Sequence, residues 1–245
     1  MRTRNTALVA AICGGLAAAL TGCGGDSDPD AGTNGVGKLS AATIESRARQ
    51  AAAAADAVRL SGRLVTRGRT YQLDMRLKAD GGTGQVATEG GTFRLLRVGR
   101  DLYLKAGASF WARDSGGQGG PHASAAGKLD DKYVKVPAGD PAYQRLRGFT
   151  DKSVLLEGIL GLHGEVTTGG RGKVDGVRTI RLRAGEDGAG GRLDVSLEGA
   201  PYPLRLQRAG GAGEVRLADW NVDFPLAAPG KDIVVDYGRK LPAGT

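Results

Sequence analysis

The strongest pattern in the chain is an alternation of apolar and polar positions. In residues 71–78 every second side chain is apolar. Successive side chains of a strand point to opposite faces, so this pattern predicts a strand with one dry face. Similar segments follow at 85–88, 93–98 and 102–105, and glycine-containing turns separate them. Short strands joined by such turns are typical of an antiparallel meander.

A second meander is predicted between residues 180 and 217, where the alternation returns. Three helices are predicted around the strands. The alanine-rich segment 39–60 has apolar residues at three- and four-residue spacing, with Ser40 as its candidate cap. Two short helices are expected to begin at Asp140-Pro141 and just after Thr150 or Asp151. Residues 132–136 and 233–237 are expected to be short strands, and residues 113–127 a mobile loop.

The dry face of these strands predicts an apolar cavity. Such a face either fills the inside of a closed barrel or lines a cavity in a wider, half-open one. Aromatic residues make up only 5% of the chain, which leaves few large side chains to fill a wide concavity. Trp111 is expected either at the rim of the cavity or in the core. Trp220 is expected in the core. The candidate cavity residues are Leu73, Met75, Leu77, Phe93, Leu95, Trp111, Leu182, Val195, Leu197, Leu204 and Leu206.

The N-terminus resembles a bacterial lipoprotein signal peptide. Arg2 and Arg4 precede an apolar run from Ala7 to Leu20, which ends in the sequence Leu-Thr-Gly-Cys at Cys23. A helix over this run would be about 21 Å long, too short for a bilayer core of about 30 Å. The resemblance implies that residues 1–22 are removed and that Cys23 receives a diacylglycerol anchor. The alternative is an ordinary secreted protein, cleaved near residues 17–19, with Cys23 as a free thiol.

Composition supports an anchored, exported protein. Cys13 lies in the predicted signal, so the processed chain has one cysteine and no disulfide within it. Residues 23–38 are rich in Gly and Asp and are expected to be the anchor and a flexible linker, followed by a domain over 39–245. The formal net charge of +8 is scattered along the chain. The simplest interpretation is that these basic residues face water on the wet side of the strands. An exported protein rarely meets nucleic acid, so a charged partner is expected to be an anionic membrane face or a cell-envelope polymer.

The order of elements behind this signal resembles the LolA/LppX–LprG group of lipid carriers. Segments such as GGTFRLLRVGRDLYLKAG (90–107) and LDVSLEGAPYPLRLQRAGG (193–211) look like actinobacterial members. The resemblance implies an α+β fold: a strongly curved, half-open antiparallel barrel-like sheet, with an N-terminal helix and short lid or plug helices on its concave face. It also implies a monomer that binds lipid or glycolipid chains outside the cytoplasmic membrane. The alternatives are an envelope-sensing module like RseB and a ligand-free structural lipoprotein.

Motifs for catalysis are incomplete. Residues 32–38 have the spacing of a phosphate-binding loop, but Leu39 stands where a Ser or Thr is needed and no strand is predicted before them. The sequence Asp114-Ser115-Gly116 is similar to a serine protease loop, yet both histidines, His122 and His163, follow it. No zinc-ligand spacing occurs. We therefore expect a protein that is not an enzyme and has no cofactor or metal.

Overall fold

The computed structural model describes residues 28–114, 126–236 and 238. The predicted signal and Cys23 lie outside the described residues, as do 115–125 of the predicted loop. Helices α1 to α4 span Ala41–Ala54, Ala108–Asp114, Pro141–Arg147 and Lys152–Ile159. The strands are β1 Ala57–Thr66, β2 Arg69–Lys78, β3 Gly81–Thr88, β4 Gly91–Val98, β5 Asp101–Ala106, β6 Tyr133–Val136, β7 Val166–Val174, β8 Val177–Ala184, β9 Gly191–Ser196, β10 Pro203–Gln207, β11 Gly213–Ala218 and β12 Val234–Asp236. Short 3-10 helices lie at Val36–Lys38, Glu186–Gly188, Ala209–Gly211 and Lys231–Ile233.

The twelve strands of the described residues form one open sheet. Their order is β12-β6-β5-β4-β3-β2-β1-β11-β10-β9-β8-β7. Strand β12 pairs with β6 in parallel, and every other neighbouring pair is antiparallel. The two predicted meanders therefore meet where β1 pairs with β11. The expected α+β, half-open barrel-like architecture is confirmed.

The strand register gives the sheet two ends. Strand β1 begins at Ala57, which pairs with Lys78, and it ends at Thr66, which pairs with Arg69. We call these the Ala57 end and the Thr66 end. The register of the neighbouring strands extends both of these ends across the sheet. The Ala57 end continues through Ala218, Pro203 and Ser196, and the Thr66 end through Gly213, Gln207 and Arg192.

Helix α1 covers one half of the inner face. It lies against β7 and β10 and touches α4. Ile44, Ala48 and Ala52 are its buried side chains, and the Ser40 hydroxyl accepts from the Thr43 amide at 3.3 Å, so the predicted cap is confirmed. Small alanine side chains let this helix lie close to the sheet.

The predicted end of this helix is wrong. Residues 57–60 belong to β1, and the helix stops at Ala54. Local propensity favours helix throughout this alanine-rich segment. Strand pairing overrides it, because this part of β1 pairs with β2 on one side and, from Arg59 onward, with β11 on the other.

Helices α3 and α4 begin where local signals predict. The Asp140 carboxylate accepts from the Ala142 amide at 2.8 Å, with Pro141 at the first helical position. The Asp151 carboxylate accepts from the Val154 amide at 3.2 Å. Between α2 and β6, the prediction of a loop is corrected at Ala126, which lies in the buried core.

Strand β7 has no counterpart in the predicted elements. Its residues are mostly exposed, and its pairing with β8 shifts between Thr168 and Arg171. The glycines at 169 and 170 and the edge position remove the two-residue alternation on which strand prediction depends.

The prediction of a flexible linker is corrected for residues 28–38. This segment, which we call the strap, packs on the Ala57 end of the sheet. The Asp30 side chain is only 4% exposed and accepts from Arg171 Nε at 3.0 Å, while Val36 is 2% exposed in the core. The few apolar side chains of this segment do not account for its order. The strap is held by the Asp30–Arg171 ion pair and by hydrogen bonds to the carbonyls of Ser196, Leu197 and Gly199.

Candidate functional site

A half-open cavity of about 490 Å³ lies at the Thr66 end of the sheet. The inner faces of β2, β4 and β5 form one wall, and helices α2 and α3 with the turn after α3 form the other. Its apolar lining consists of Tyr71, Phe93, Leu104, Phe110, Ala142, Leu146 and Phe149.

Two aromatic contacts join the walls of the cavity. The ring centroids of Tyr71 and Phe149 lie 5.6 Å apart, and those of Phe93 and Phe110 lie 5.4 Å apart. Both pairs are tilted, a favourable arrangement for aromatic rings. Each pair has one ring on the sheet and one on the helical layer, so separating the walls would widen the cavity at these contacts.

The cavity also has polar groups. Arg69 and Arg145 line it together with Glu89, and the hydroxyl-bearing residues Thr70 and Thr88 lie beside them. An apolar lining with a few polar groups is typical of small-molecule sites. The arrangement suits an amphiphile whose chain lies on the rings and whose head reaches the polar groups.

A buried arginine fixes the turn after α3 to the sheet. Arg97, on β4, is buried, and its guanidinium donates to the Thr150 carbonyl at 2.9 Å and to the Gly99 carbonyl at 2.8 Å. At the other end of α3, the Tyr143 hydroxyl donates to the Arg100 carbonyl at 2.7 Å. Helix α3, which supplies one wall of the cavity, is therefore held at both ends.

Lys152 links α4 to the end of α1. Its ammonium donates to the Ala53 carbonyl at 3.0 Å and also to the Ala55 carbonyl. Burial lowers the pKa of Lys152, because the charged form loses hydration. The nearby Asp56 opposes this change in pKa only in part. The side chain thus satisfies the last carbonyls of a helix at the expense of burying its charge.

Comparison with known proteins gives a likeness of fold. No model of a known family matches the sequence, and no curated protein matches it. The crystal structure of LprF from Mycobacterium bovis superposes with a TM-score of 0.53, at 16% identity, over 77% of this chain and 96% of that one. The chain has an LppX/LprG-type fold. Mycobacterium tuberculosis lipoprotein LppX gives a TM-score of 0.43 at 13% identity, over 76% of this chain and 97% of that one.

Within this LppX/LprG-type fold, most predicted cavity residues lie in the packed core. Only Phe93 of the eleven lines the cavity. The others on the inner face pack against one another and the helices, and each is at most 1% exposed. These are Leu73, Met75, Leu77, Leu95, Leu182, Val195, Leu197 and Leu206.

Trp111 is a core residue rather than a rim residue. Its side chain is 2% exposed, and the indole nitrogen donates to the Ala106 carbonyl at 3.1 Å. Its neighbour Phe110 lines the cavity instead. Trp220 is half-buried and stacks on Tyr202 with a centroid distance of 4.7 Å.

Leu204 is only half-buried and does not share the face of Leu206. The cause is a bulge in β10. Pro203 pairs with Val195 and Arg205 with Asp194, so Leu204 is the extra residue between them. A bulge breaks the two-residue period from which this position was predicted.

Prediction from the sequence missed six of the seven apolar cavity residues, including Ala142 on α3. Tyr71 belongs to the alternating pattern of β2, but Leu104, Phe110, Leu146 and Phe149 were not predicted to line a cavity. The adjacent aromatic pair at 110–111 was the one local signal of an apolar site. Among the described residues, no group of three His, Cys, Asp or Glu could hold a metal ion, and no helix is long and apolar enough to cross a membrane.

Proposed function

We propose that this protein is an exported lipoprotein that binds the acyl chains of a lipid or glycolipid in the Thr66-end cavity and carries them between layers of the cell envelope. The main support is the cavity itself. At about 490 Å³ it falls within the range of about 300–1,000 Å³ typical of ligand sites, and its lining is largely aromatic and aliphatic.

The packed core limits what enters without rearrangement. The eight inner-face residues that are at most 1% exposed are already packed in the core. Protein interiors are close-packed, so a lipid with several chains would have to separate them. We therefore propose that one chain enters the existing cavity, and that a larger lipid requires α2 or α3 to move away from the sheet.

The anchor belongs to the same proposal. Cys23 is the site of lipid modification, residues 1–22 are the removed signal, and the protein lies on the extracytoplasmic face of the cell membrane as a monomer. The sequence before Cys23 supports this proposal. Growth with a radiolabelled fatty acid should label the full chain but not a Cys23→Ser variant. Equal labelling of both would remove the anchor from the proposal.

Native mass spectrometry tests the lipid site. The chain should begin at Gly24, so that the strap is kept, and should be purified gently from an actinobacterial host. We expect bound masses that disappear on organic extraction. Leu146→Arg places a charge in the cavity wall and should reduce lipid capture at least about tenfold, since burying an unpaired charge costs several kcal/mol.

The matched control is Val154→Arg on α4, where the side chain is 54% exposed. It should bind lipid like the unmodified chain. Unchanged capture by Leu146→Arg, with both variants folded, would contradict this lipid site.

A second candidate function is an envelope-sensing or partner-binding module similar to RseB, without lipid transport. The tight packing of the inner face favours it. A bare polypeptide mass that stays bare after incubation with envelope lipids would support this function over lipid binding.

A further inference from the structure

We propose that the Ala57 end of the sheet faces the membrane that holds the anchor, and that the cavity opens away from that membrane. This proposal rests on the lipid anchor at Cys23 given under the proposed function. It follows from where the strap is bound and from how little chain separates the strap from Cys23.

The strap is bound at the Ala57 end by specific contacts. The Asp30 carboxylate pairs with Arg171 on β7. The Arg178 guanidinium, at the start of β8, donates to the carbonyls of residues 31 and 32 at 3.1 and 2.7 Å. The Asn34 side chain donates to the carbonyls of Ser196 and Gly199 at 3.1 and 3.0 Å.

The strap also packs closely around Gly37. A Cβ on Gly37 would lie 2.7 Å from Asp30 Oδ1 and 3.1 Å from Leu197 Cδ2. A side chain at residue 37 would therefore require the Asp30 and Leu197 side chains to move. The backbone N–H of Asn34 also donates to the Leu197 carbonyl at 2.8 Å. The strap is thus a packed part of the domain, not a tether lying on it.

The cavity lies at the opposite end of the strands. Its lining includes residues 69–71 and 88–90, at the turns of the Thr66 end. Strand β1 runs ten residues between the two ends, which is about 33 Å at about 3.3 Å per residue. The point where the strap begins and the opening of the cavity are therefore separated by roughly the length of a strand.

The chain before the strap is too short to span this distance. Five residue steps connect Cys23 to Asp28. Fully extended, they span at most about 18 Å. While the strap is bound, an acyl anchor at Cys23 keeps the Ala57 end near the membrane and holds the cavity away from it. Cargo would then be exchanged with a surface other than the anchoring membrane.

Site-specific quenching tests the orientation. The full chain, processed in an actinobacterial host so that the anchor is present, carries a single dye at Lys173→Cys near the Ala57 end or at Thr92→Cys near the Thr66 end. Both positions are exposed. The protein is placed in neutral phosphatidylcholine vesicles with a quencher on the lipid headgroup. We expect strong quenching at 173 and little at 92.

Releasing the strap should change this result. Asp30→Ala, Asn34→Ala and Arg178→Ala together remove the ion pair and the side-chain hydrogen bonds that hold the strap. Sixteen steps then connect Cys23 to Leu39, and fully extended they span up to about 58 Å, which exceeds the separation of about 33 Å between the two ends. Quenching at 92 should then rise. The control is Asp175→Ala, which breaks an exposed pair with Arg216 near the same end but does not touch the strap. It should leave both signals unchanged.

Equal quenching at the two positions, or stronger quenching at 92, would overturn the orientation. Unchanged quenching at residue 92 after release of the strap would show that the strap does not set the orientation of the domain. If the processed chain does not associate with vesicles, both the anchor and the orientation are wrong, whereas lipid capture in the cavity remains measurable by native mass spectrometry.

Discussion

Replacing Gly62 with alanine should open the seam between the two meanders. Gly62 lies in β1, opposite Leu73 on one side and Val215 of β11 on the other. An added Cβ would sit 2.2 Å from the Glu214 carbonyl oxygen and 2.9 Å from the Val215 Cα. Both are backbone atoms, so no side-chain rotation relieves the clash. The strands β1 and β11 would have to separate.

The expected loss of stability has two parts. The φ of Gly62 is +144°, a region that side chains with a Cβ rarely adopt, and such strain costs about 1–3 kcal/mol. Overpacking of a filled interior costs about 1–3 kcal/mol more. The free energy of unfolding should therefore fall by about 2–6 kcal/mol.

Urea unfolding followed by tryptophan fluorescence measures this loss. The m-value should stay constant, so the change appears as a lower midpoint. The control is Gly158→Ala, near the end of α4, where no atom lies within 4 Å of the added Cβ. That change should stabilise the protein by about 0.5–1 kcal/mol, because alanine favours helix over glycine.

The two glycine variants should therefore move the midpoint in opposite directions. A Gly62→Ala protein within about 0.5 kcal/mol of the unmodified chain, a change typical of an uninvolved surface site, would refute the close approach of β1 and β11. It would also place the junction of the meanders elsewhere in the sheet.

Two further predictions concern charges. Asp194 on β9 is buried and accepts from Arg181 Nε and Arg205 Nε, each at 2.8 Å, so Asp194→Asn should cost about 2 kcal/mol in urea unfolding. Asp74→Asn, in an exposed pair, should cost less than about 1 kcal/mol, and equal losses would contradict this account. Lys152 has a lowered pKa in the folded chain, so the unfolded chain binds more protons between that pKa and the usual alkaline value. Stability should rise with pH across this window. Lys152→Met should reduce that rise, and an identical pH dependence in both proteins would contradict the burial of this charge.

Local chemistry made several elements predictable. The alternation in β2 and in β8–β9 follows from the two faces of a strand, and the starts of α1, α3 and α4 follow from capping by Ser40, Asp140 and Asp151. Each of these signals acts between residues a few positions apart. The order of most strands and of three helices could therefore be predicted, whereas α2 and β7 could not.

Other features depend on partners far away in the sequence. Residues 57–60 form a strand because β2 and β11 pair with them, although their alanine-rich context favours helix. The strap is ordered by Arg171 and Arg178, more than 130 residues further along the chain. Composition alone describes it as a linker, because composition does not register such distant contacts.

In the strands that were predicted, the sequence by itself indicated which side chains face inward, apart from the bulged Leu204. Tertiary structure decided which inward positions pack and which border space. Met75 and Leu193 are covered by the sheet and helices around them and are fully buried. Tyr71 meets the turn after α3 and Phe93 meets α2, and a gap remains between these two walls. Strand periodicity assigns a face to a residue, but a cavity is the space that two separately folded layers leave unfilled. Its position therefore depends on how α2 and α3 rest on the sheet.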